Sequence, residues 1–237
     1  HPGGRDYAMN LGLALQLTER RWSDVFRDGV PLGDAGFERR FAARGRTAEQ
    51  VRTVFTAPLR AQLSAFESVH LDDDGADLAS PGNGYTLEEL EPFVRDAVAA
   101  AQALAAAVEA APAPPGLGPH RDAWQAFALK HGGRLEVASF AVREARYRDA
   151  AVELLTRFDD HGAPTASVAR VLLVKPRSPR AKLPAEARRL MKTLAAECQG
   201  LAVTADAVEA TLPSPLAEPV RAESLWRPLQ RLARALE

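Results

Sequence analysis

A proline- and glycine-rich break in the middle of the chain constrains the fold more than any other stretch. Residues 110–119 read Ala-Ala-Pro-Ala-Pro-Pro-Gly-Leu-Gly-Pro, and a run with this many prolines cannot continue a helix or a central strand. The 237-residue chain is thereby divided into two segments, each long enough to bury a modest hydrophobic core. We predict two domains, 1–110 and 120–237, joined by a linker over 111–119.

Repeated patterns in the two segments indicate an internal duplication. In both segments an arginine–aspartate pair precedes alternating apolar residues, and later two apolar residues precede an aspartate. In order along the chain, the matches are Arg5-Asp6-Tyr7-Ala8 with Arg148-Asp149-Ala150-Ala151, and Val69, Leu71 and Asp74 with Leu201, Val203 and Asp206. Several matches in the same order predict that the two domains are related in tandem.

The first segment opens with two predicted strands and a helix. Apolar residues at every second position predict a strand over 7–17 and an antiparallel partner over 37–44. Between them, residues 22–26 fit either a helical turn or a loop. Thr47 is followed three residues later by a glutamine, which is the spacing of a capping box at a helix start. We expect Pro58 to kink that helix, because proline lacks the amide hydrogen.

A hairpin and a long helix complete the first segment. Asp73-Asp74-Gly75 is a strong turn signal between short predicted strands over 68–72 and 77–79. A further helix begins near Thr86, and we expect its apolar residues to pack on the core as one face. These residues are Leu90, Val94, Ala97, Val98, Ala101, Leu104 and Val108.

The second segment has the predicted order helix, three strands, helix, two strands, helix. Apolar periodicity, paired glycines and a proline mark the boundaries of these elements. In order, they are a helix over 124–131, strands over 135–140, 149–158 and 167–175, a helix beginning at Pro184, strands over 201–204 and 208–212, and a helix over 225–236.

This order of elements resembles the type III secretion chaperone-like fold, and the first segment has the same order without its opening helix and first strand. The resemblance rests on element order, without shared motif residues. It implies an α+β protein of two tandem related domains, each an antiparallel sheet with helices packed mainly on one face. It also implies domains that bind other polypeptides and catalyse no reaction.

The missing opening elements predict that the chain is a fragment or a processed product. A sheet without its first strand has an open edge near residues 7–17, and open edges invite association. We expect an upstream segment, a strand from the other half or a second chain to pair there.

Candidate chemical sites are few in this sequence. The acidic run 72–77 departs from a calcium loop at the sixth and twelfth positions, the five histidines have no paired spacing, and phosphate-binding motifs are absent. Cys198 is the only cysteine, and its inward position on a predicted helix favours an inert thiol. We therefore predict no catalytic residue, no cofactor and no metal site.

One cationic loop is the candidate contact surface. Lys175, Arg177, Arg180 and Lys182 lie in a proline-containing connection between a predicted strand and helix. Such a loop can meet phosphates, acidic lipid or an acidic protein tail, although it also fits a solvated connection. The isoelectric point near 6.6 and the lack of interleaved aromatic residues argue against nucleic acid as the partner.

The preferred functional hypothesis is a non-catalytic protein-binding or adaptor module with an unidentified protein partner. Two alternatives stay open: an enzyme with a pocket between the two domains, and the soluble part of a membrane-tethered scaffold. Convergent carboxylates or histidines in a deep pocket would favour the enzyme, whereas an exposed apolar groove or a free sheet surface would favour the interaction module. No apolar run reaches the roughly 18 residues of a membrane helix. A cytoplasmic location is the default, with a signal or anchor upstream of His1 as the alternative.

Overall fold

The structure, a computed structural model of the chain, describes residues 13–20, 29–72, 75–79, 86–159, 162–178, 181–213 and 218–236. These residues form an α+β fold with two antiparallel sheets, as the sequence predicts. The chain divides into two compact units, His1–Pro112 and Ala113–Glu237. Ala111 in the first unit and Leu117 in the second are buried, whereas Pro115 and Gly116 between them are exposed.

The first unit contains a four-stranded sheet in the order β2-β1-β3-β4 among its described residues. Along the chain, the elements are β1 (Gln16–Glu19), α1 (Ala35–Arg40), β2 (Phe41–Arg44), α2 (Ala48–Val54), α3 (Ala57–Ser64), β3 (Ser68–Leu71), β4 (Ala76–Ala79) and α4 (Leu87–Glu109). Leu13, Leu15 and Leu17 are buried and Ala14 and Gln16 are exposed, but of the strand predicted over 7–17 only Gln16 and Leu17 lie in β1, and Ala14 has a φ of +51°. Leu17 pairs with Ala43 of β2 on one side and Leu71 of β3 on the other, so the open edge expected near residues 7–17 is not found at Leu17. Residues 7–12 of that predicted strand, the Arg5-Asp6 match and the segment 22–26 lie outside the described residues.

The strand predicted over 37–44 is wrong in its first half, where the chain forms α1. The Asp34 carboxylate caps this helix by accepting a hydrogen bond of 3.0 Å from the Phe37 amide, which lowers the pKa of Asp34. Phe37 and Phe41 stack with ring centroids 4.8 Å apart. Their separation of four residues fits one helical turn as well as a strand, and the cap decides between the two.

The predicted helix after Thr47 is present but is divided at Phe55. The Thr47 hydroxyl accepts a hydrogen bond of 3.1 Å from the Gln50 amide, which confirms the cap. Pro58 lies in the first turn of α3, where a missing amide hydrogen costs little. The proline therefore begins a second helix rather than kinking one continuous helix.

The packed face predicted for α4 is wrong in part. Leu90, Val94 and Val98 are 45 to 50% exposed, whereas Ala100 and Leu104 are buried. Phe93 packs edge to face on Phe66 at 5.9 Å. The buried residues lie about a quarter of a turn from the exposed apolar ones, because each residue advances the helix by about 100°.

The second unit contains a six-stranded sheet in the order β5-β6-β7-β8-β10-β9. Along the chain, its elements are a short 3-10 turn (Gly118–His120), α5 (Arg121–Lys130), β5 (Arg134–Glu136), β6 (Ala141–Tyr147), β7 (Ala150–Phe158), β8 (Pro164–Leu172), α6 (Ala185–Leu194), β9 (Gly200–Val203), β10 (Ala207–Pro213) and α7 (Arg221–Arg234). Trp124, Phe140, Leu154 and Trp226 lie in one core cluster that joins α5, α6 and α7 to the sheet.

The strand β6 is absent from the sequence prediction, so four strands rather than three precede α6. Its pairing with β7 shifts between Val142 and Ala145, and Glu144 within the shift has a φ of +59°. This β-bulge places Val142 and Ala145 both in the core, although two residues lie between them instead of one. The bulge therefore destroys the period-two pattern by which strands are identified.

The predicted duplication is not confirmed. In the second unit, β7 and β8 precede α6, and β9 and β10 follow it. Their spatial order is β7-β8-β10-β9, so it is the second strand before the helix, β8, that pairs with a strand after it, β10. In the described part of the first unit, β1 rather than β2 pairs with a later strand, β3. The two units share a class and an approximate element order but not a strand order.

We expect Leu154→Ala to lower the free energy of unfolding by roughly 2 to 5 kcal/mol, because Leu154 is fully buried and the substitution leaves a cavity. Leu129, which is 66% exposed on α5, provides the matched control, and Leu129→Ala should change stability by less than about 0.5 kcal/mol. Urea titration measures both. Equal losses for the two variants would contradict the assignment of Leu154 to the core.

Candidate functional site

The predicted cationic loop is held in place by backbone contacts. One Nη of Arg177 donates to the carbonyl oxygens of Ala181 and Lys182 at 2.8 and 2.7 Å, so this guanidinium stabilises the loop. The Arg177 amide donates to the Ala205 carbonyl at 2.6 Å, which anchors the loop to the β9–β10 turn. Lys175 and Lys182 are exposed. The fourth predicted contact residue, Arg180, lies outside the described residues.

The acidic run and the lone cysteine both have structural contacts. Asp72 accepts a hydrogen bond of 3.0 Å from the Gly75 amide, as in a hairpin turn. Within the described ranges, no cluster of histidine, cysteine and carboxylate side chains is arranged to hold a metal ion. The Cys198 thiol donates to the Leu194 carbonyl at 3.3 Å, and partial burial raises its pKa.

A close histidine–carboxylate pair joins two helices of the second unit. His131 Nε2 and Lys130 Nζ both lie 2.6 Å from Glu223 Oε1, at the end of α5 and the start of α7. Burial alone would raise the pKa of Glu223, but these two partners outweigh it and lower the pKa. The His131 ring packs on Phe127 and Trp226 at 4.8 and 5.0 Å. We therefore assign this pair to helix packing.

The most extensive polar feature is a row of alternating charges across the second sheet, which we call the charge ladder. It consists of Glu136, Arg143, Glu153, Arg170 and Glu209, on β5, β6, β7, β8 and β10 in that spatial order. Successive nitrogen–oxygen distances along it are 2.8, 3.1, 2.6 and 2.9 Å. The side chains are 10 to 21% exposed. Sequence reasoning missed the ladder because its members lie on five different strands and are brought together only by strand pairing.

The bulge and the strand register build the charge ladder. Glu153, Arg170 and Glu209 are direct cross-strand neighbours. Arg143 lies in the two-residue bulge opposite Glu153, so the irregularity brings the arginine to the carboxylate. Burial alone would lower the pKa of Arg143, but Glu136 and Glu153 outweigh it and raise the pKa. Arg143 is thus held in its charged form by its neighbours, and because every member of the ladder pairs with another member across the sheet, we assign the ladder a structural role.

The strand β9 has an open outer edge. It pairs with β10 on one side, and no described strand pairs with the other. The Thr204 amide donates to the Ala207 carbonyl, and this register makes Ala202 a hydrogen-bonded partner of Glu209. In an antiparallel pair, residues that bond to the partner strand alternate with residues whose amide and carbonyl groups point away from it. The amide and carbonyl groups of Leu201 and Val203 therefore point away from β10, toward the open edge.

The edge strand β9 carries none of the charged side chains or prolines by which proteins often protect sheet edges. Its sequence is Gly-Leu-Ala-Val, without a charge or a proline. The opposite edge strand, β5, carries Arg134 and Glu136, which pair with each other at 3.1 Å. The two edges of one sheet therefore differ in their capacity to accept a further strand.

A groove of about 470 Å³ lies between α6 and β9. Its apolar lining includes Met191, Ala195, Cys198 and Leu201. The sequence predicts Met191 and Cys198 to point inward, and the structure places both at the groove, where they are half-buried. Arg188 and Lys192, one helical turn apart on α6, also line it and are exposed.

Comparisons with known proteins were made by family, by sequence and by structure. No protein-family model matches the chain, and neither a curated protein nor a solved structure is significantly similar to it. Among the described helices, none combines the length and the apolar character needed to cross a membrane. The geometry of β9 and its groove is therefore the basis for a functional proposal.

We expect Glu153→Gln to destabilise the protein by about 3 kcal/mol, because Arg143 and Arg170 both lose a largely buried counter-charge. The matched control is Glu144→Gln, since the Glu144 side chain is 72% exposed and lies 3.7 Å from Arg134. Its effect should stay below about 0.5 kcal/mol. Denaturant titration at two salt concentrations measures both. If Glu153→Gln costs no more than the control, the ladder does not stabilise the sheet.

Proposed function

We propose that the second unit is a non-catalytic polypeptide-binding module, which takes up an extended segment of another protein as an additional strand beside β9. The observation that carries this proposal is the open, uncharged edge of β9 next to an apolar groove. In strand addition, main-chain hydrogen bonds supply affinity, and pockets for alternate side chains supply specificity.

The backbone of β9 supports this mode of binding. Leu201 and Val203 direct their amide and carbonyl groups outward, and a bound strand supplies the matching acceptors and donors. Alternate side chains of that strand point to the helix side of the sheet, where they meet Met191 and Cys198. One extended segment can thus form hydrogen bonds with the outward backbone groups of β9 and, at the same time, place its side chains in the groove.

The sheet offers a rigid support for an added strand. The charge ladder holds five of the six strands in register and ends at Glu209 on β10, the direct neighbour of β9. A preorganised edge loses little conformational entropy when a ligand binds. The element order also resembles the type III secretion chaperone-like fold, with one strand more than the sequence predicts, and that resemblance implies polypeptide binding by analogy.

Selection of linear peptides from a random display library tests the proposed function. We expect selected peptides to protect the amides of Leu201 and Val203 from hydrogen exchange, while the Ala202 amide, which faces β10, changes little. Cys198 is the only cysteine, so its alkylation rate reports directly on the groove and should fall on binding. Failure to select any peptide, or binding that leaves these amides and Cys198 unchanged, would overturn the proposal.

A substitution at the edge separates backbone from side-chain contributions. Val203→Pro removes an outward amide hydrogen, and we expect affinity for a selected peptide to fall roughly three- to tenfold, the value of one hydrogen bond. Val203→Ala keeps that hydrogen and should retain most of the affinity. Isothermal titration calorimetry measures both, with urea midpoints as the check on folding. Equal losses for both variants would contradict strand addition.

A further inference from the structure

We infer that the segment bound beside β9 is acidic, with apolar residues alternating with aspartate or glutamate. This inference rests on the proposed function and adds the chemical class of the ligand. The observation behind it is that the charged side chains lining the groove are both cationic: Arg188 and Lys192.

These two cations are available to a ligand. Both are exposed, and neither forms an ion pair with any residue in the described part of the chain. They project from the same side of α6, because residues four apart lie one above the other on a helix. A strand along β9 therefore lies beside a helix side that carries two positive charges.

Nearby acidic groups do not cancel this charge. Asp206 lies in the turn after β9. Its carboxylate accepts a hydrogen bond of 2.7 Å from the Thr204 hydroxyl and forms an ion pair with Arg170 at 3.1 Å, and both contacts lower the pKa of Asp206. The Glu209 carboxylate is held by Arg170. Burial and the Glu197 carboxylate, after α6, raise the pKa of the Cys198 thiol at the groove, although Glu197 itself is not part of the lining. The two cations of the lining, Arg188 and Lys192, outnumber this one carboxylate, so the charge at the groove is net positive.

The cationic loop lies at one end of the same edge. The Arg177 amide in this loop donates a hydrogen bond to the carbonyl oxygen of Ala205, which lies two residues beyond the end of β9. Lys175 and Lys182 in this loop are exposed and make no ion pair with a described residue. The loop predicted from sequence as a contact surface thereby extends the positive field past the groove.

Polypeptide rather than nucleic acid fits this surface. Single-stranded nucleic acid is held by aromatic side chains on which bases stack, and the groove lining contains no aromatic residue. The outward amide and carbonyl groups of β9 match a peptide backbone, whereas phosphates offer acceptors alone. An acidic extended peptide can form hydrogen bonds with the edge of β9, place apolar side chains against the apolar lining and pair its carboxylates with Arg188 and Lys192.

Three synthetic peptides of equal length test the ligand class. They share apolar residues at alternate positions and carry glutamate, serine or lysine at the others. We expect the glutamate peptide to bind roughly three- to tenfold more tightly than the serine peptide, and the lysine peptide to bind most weakly. High salt should reduce the differences, because it screens exposed charges.

Charge reversal assigns the preference to the groove. In the variant Arg188→Glu/Lys192→Glu, we expect the lysine peptide to bind more tightly than the glutamate peptide. The matched control is Arg189→Glu/Arg227→Glu, which makes the same change in net charge at two exposed positions outside the groove. This control should keep the order of affinities found for the unaltered protein.

The outcomes distinguish failure of this inference from failure of the proposed function. If the glutamate and serine peptides bind equally and both protect the Leu201 and Val203 amides, the acidic preference is wrong and strand addition stands. If no peptide protects those amides, both are wrong. A single-stranded oligonucleotide that displaces the glutamate peptide and loses affinity in the groove variant would reassign the ligand to nucleic acid and overturn the inference.

Discussion

The second sheet depends on the pairing of charges that it largely removes from water. Glu153 contacts both Arg143 and Arg170 within 3.1 Å, and loss of either arginine leaves a carboxylate with less compensation for its burial. A register slip of one residue on β7 would turn Glu153 toward the helices and into the apolar core. The ladder therefore specifies the register of five strands more strictly than their apolar residues alone.

The same ladder explains why one edge of the sheet is chemically different from the other. It begins on β5 and ends on β10, and the residue of β9 opposite Glu209 is Ala202. The edge strand β9 thus takes part in the sheet by backbone pairing and apolar contact, without a charge of its own. The positive charges near this edge belong to α6, whose Arg188 and Lys192 side chains line the groove. The charge ladder can thus support the sheet while the edge of β9 stays uncharged, because the paired charges lie on the other five strands.

Local patterns predicted the elements whose determinants are local. The Thr47 cap, the helix α5 and the long strand β7 are recognisable because capping and apolar periodicity need only neighbouring residues. The failures are also physical. Phe37 and Phe41 fit either a strand or a helical turn until the Asp34 cap decides, and β6 contains a bulge that erases its alternation.

The sequence by itself determined the α+β class, most helices and the cationic loop, because periodicity, caps and charge are properties of short stretches. Tertiary structure alone decided which strand became the open edge and which charges were paired. Arg143 and Glu153 are 10 residues apart, and Arg170 and Asp206 are 36 apart. Such partners meet only when strand order brings them together, and strand order is set by packing and pairing across the whole unit.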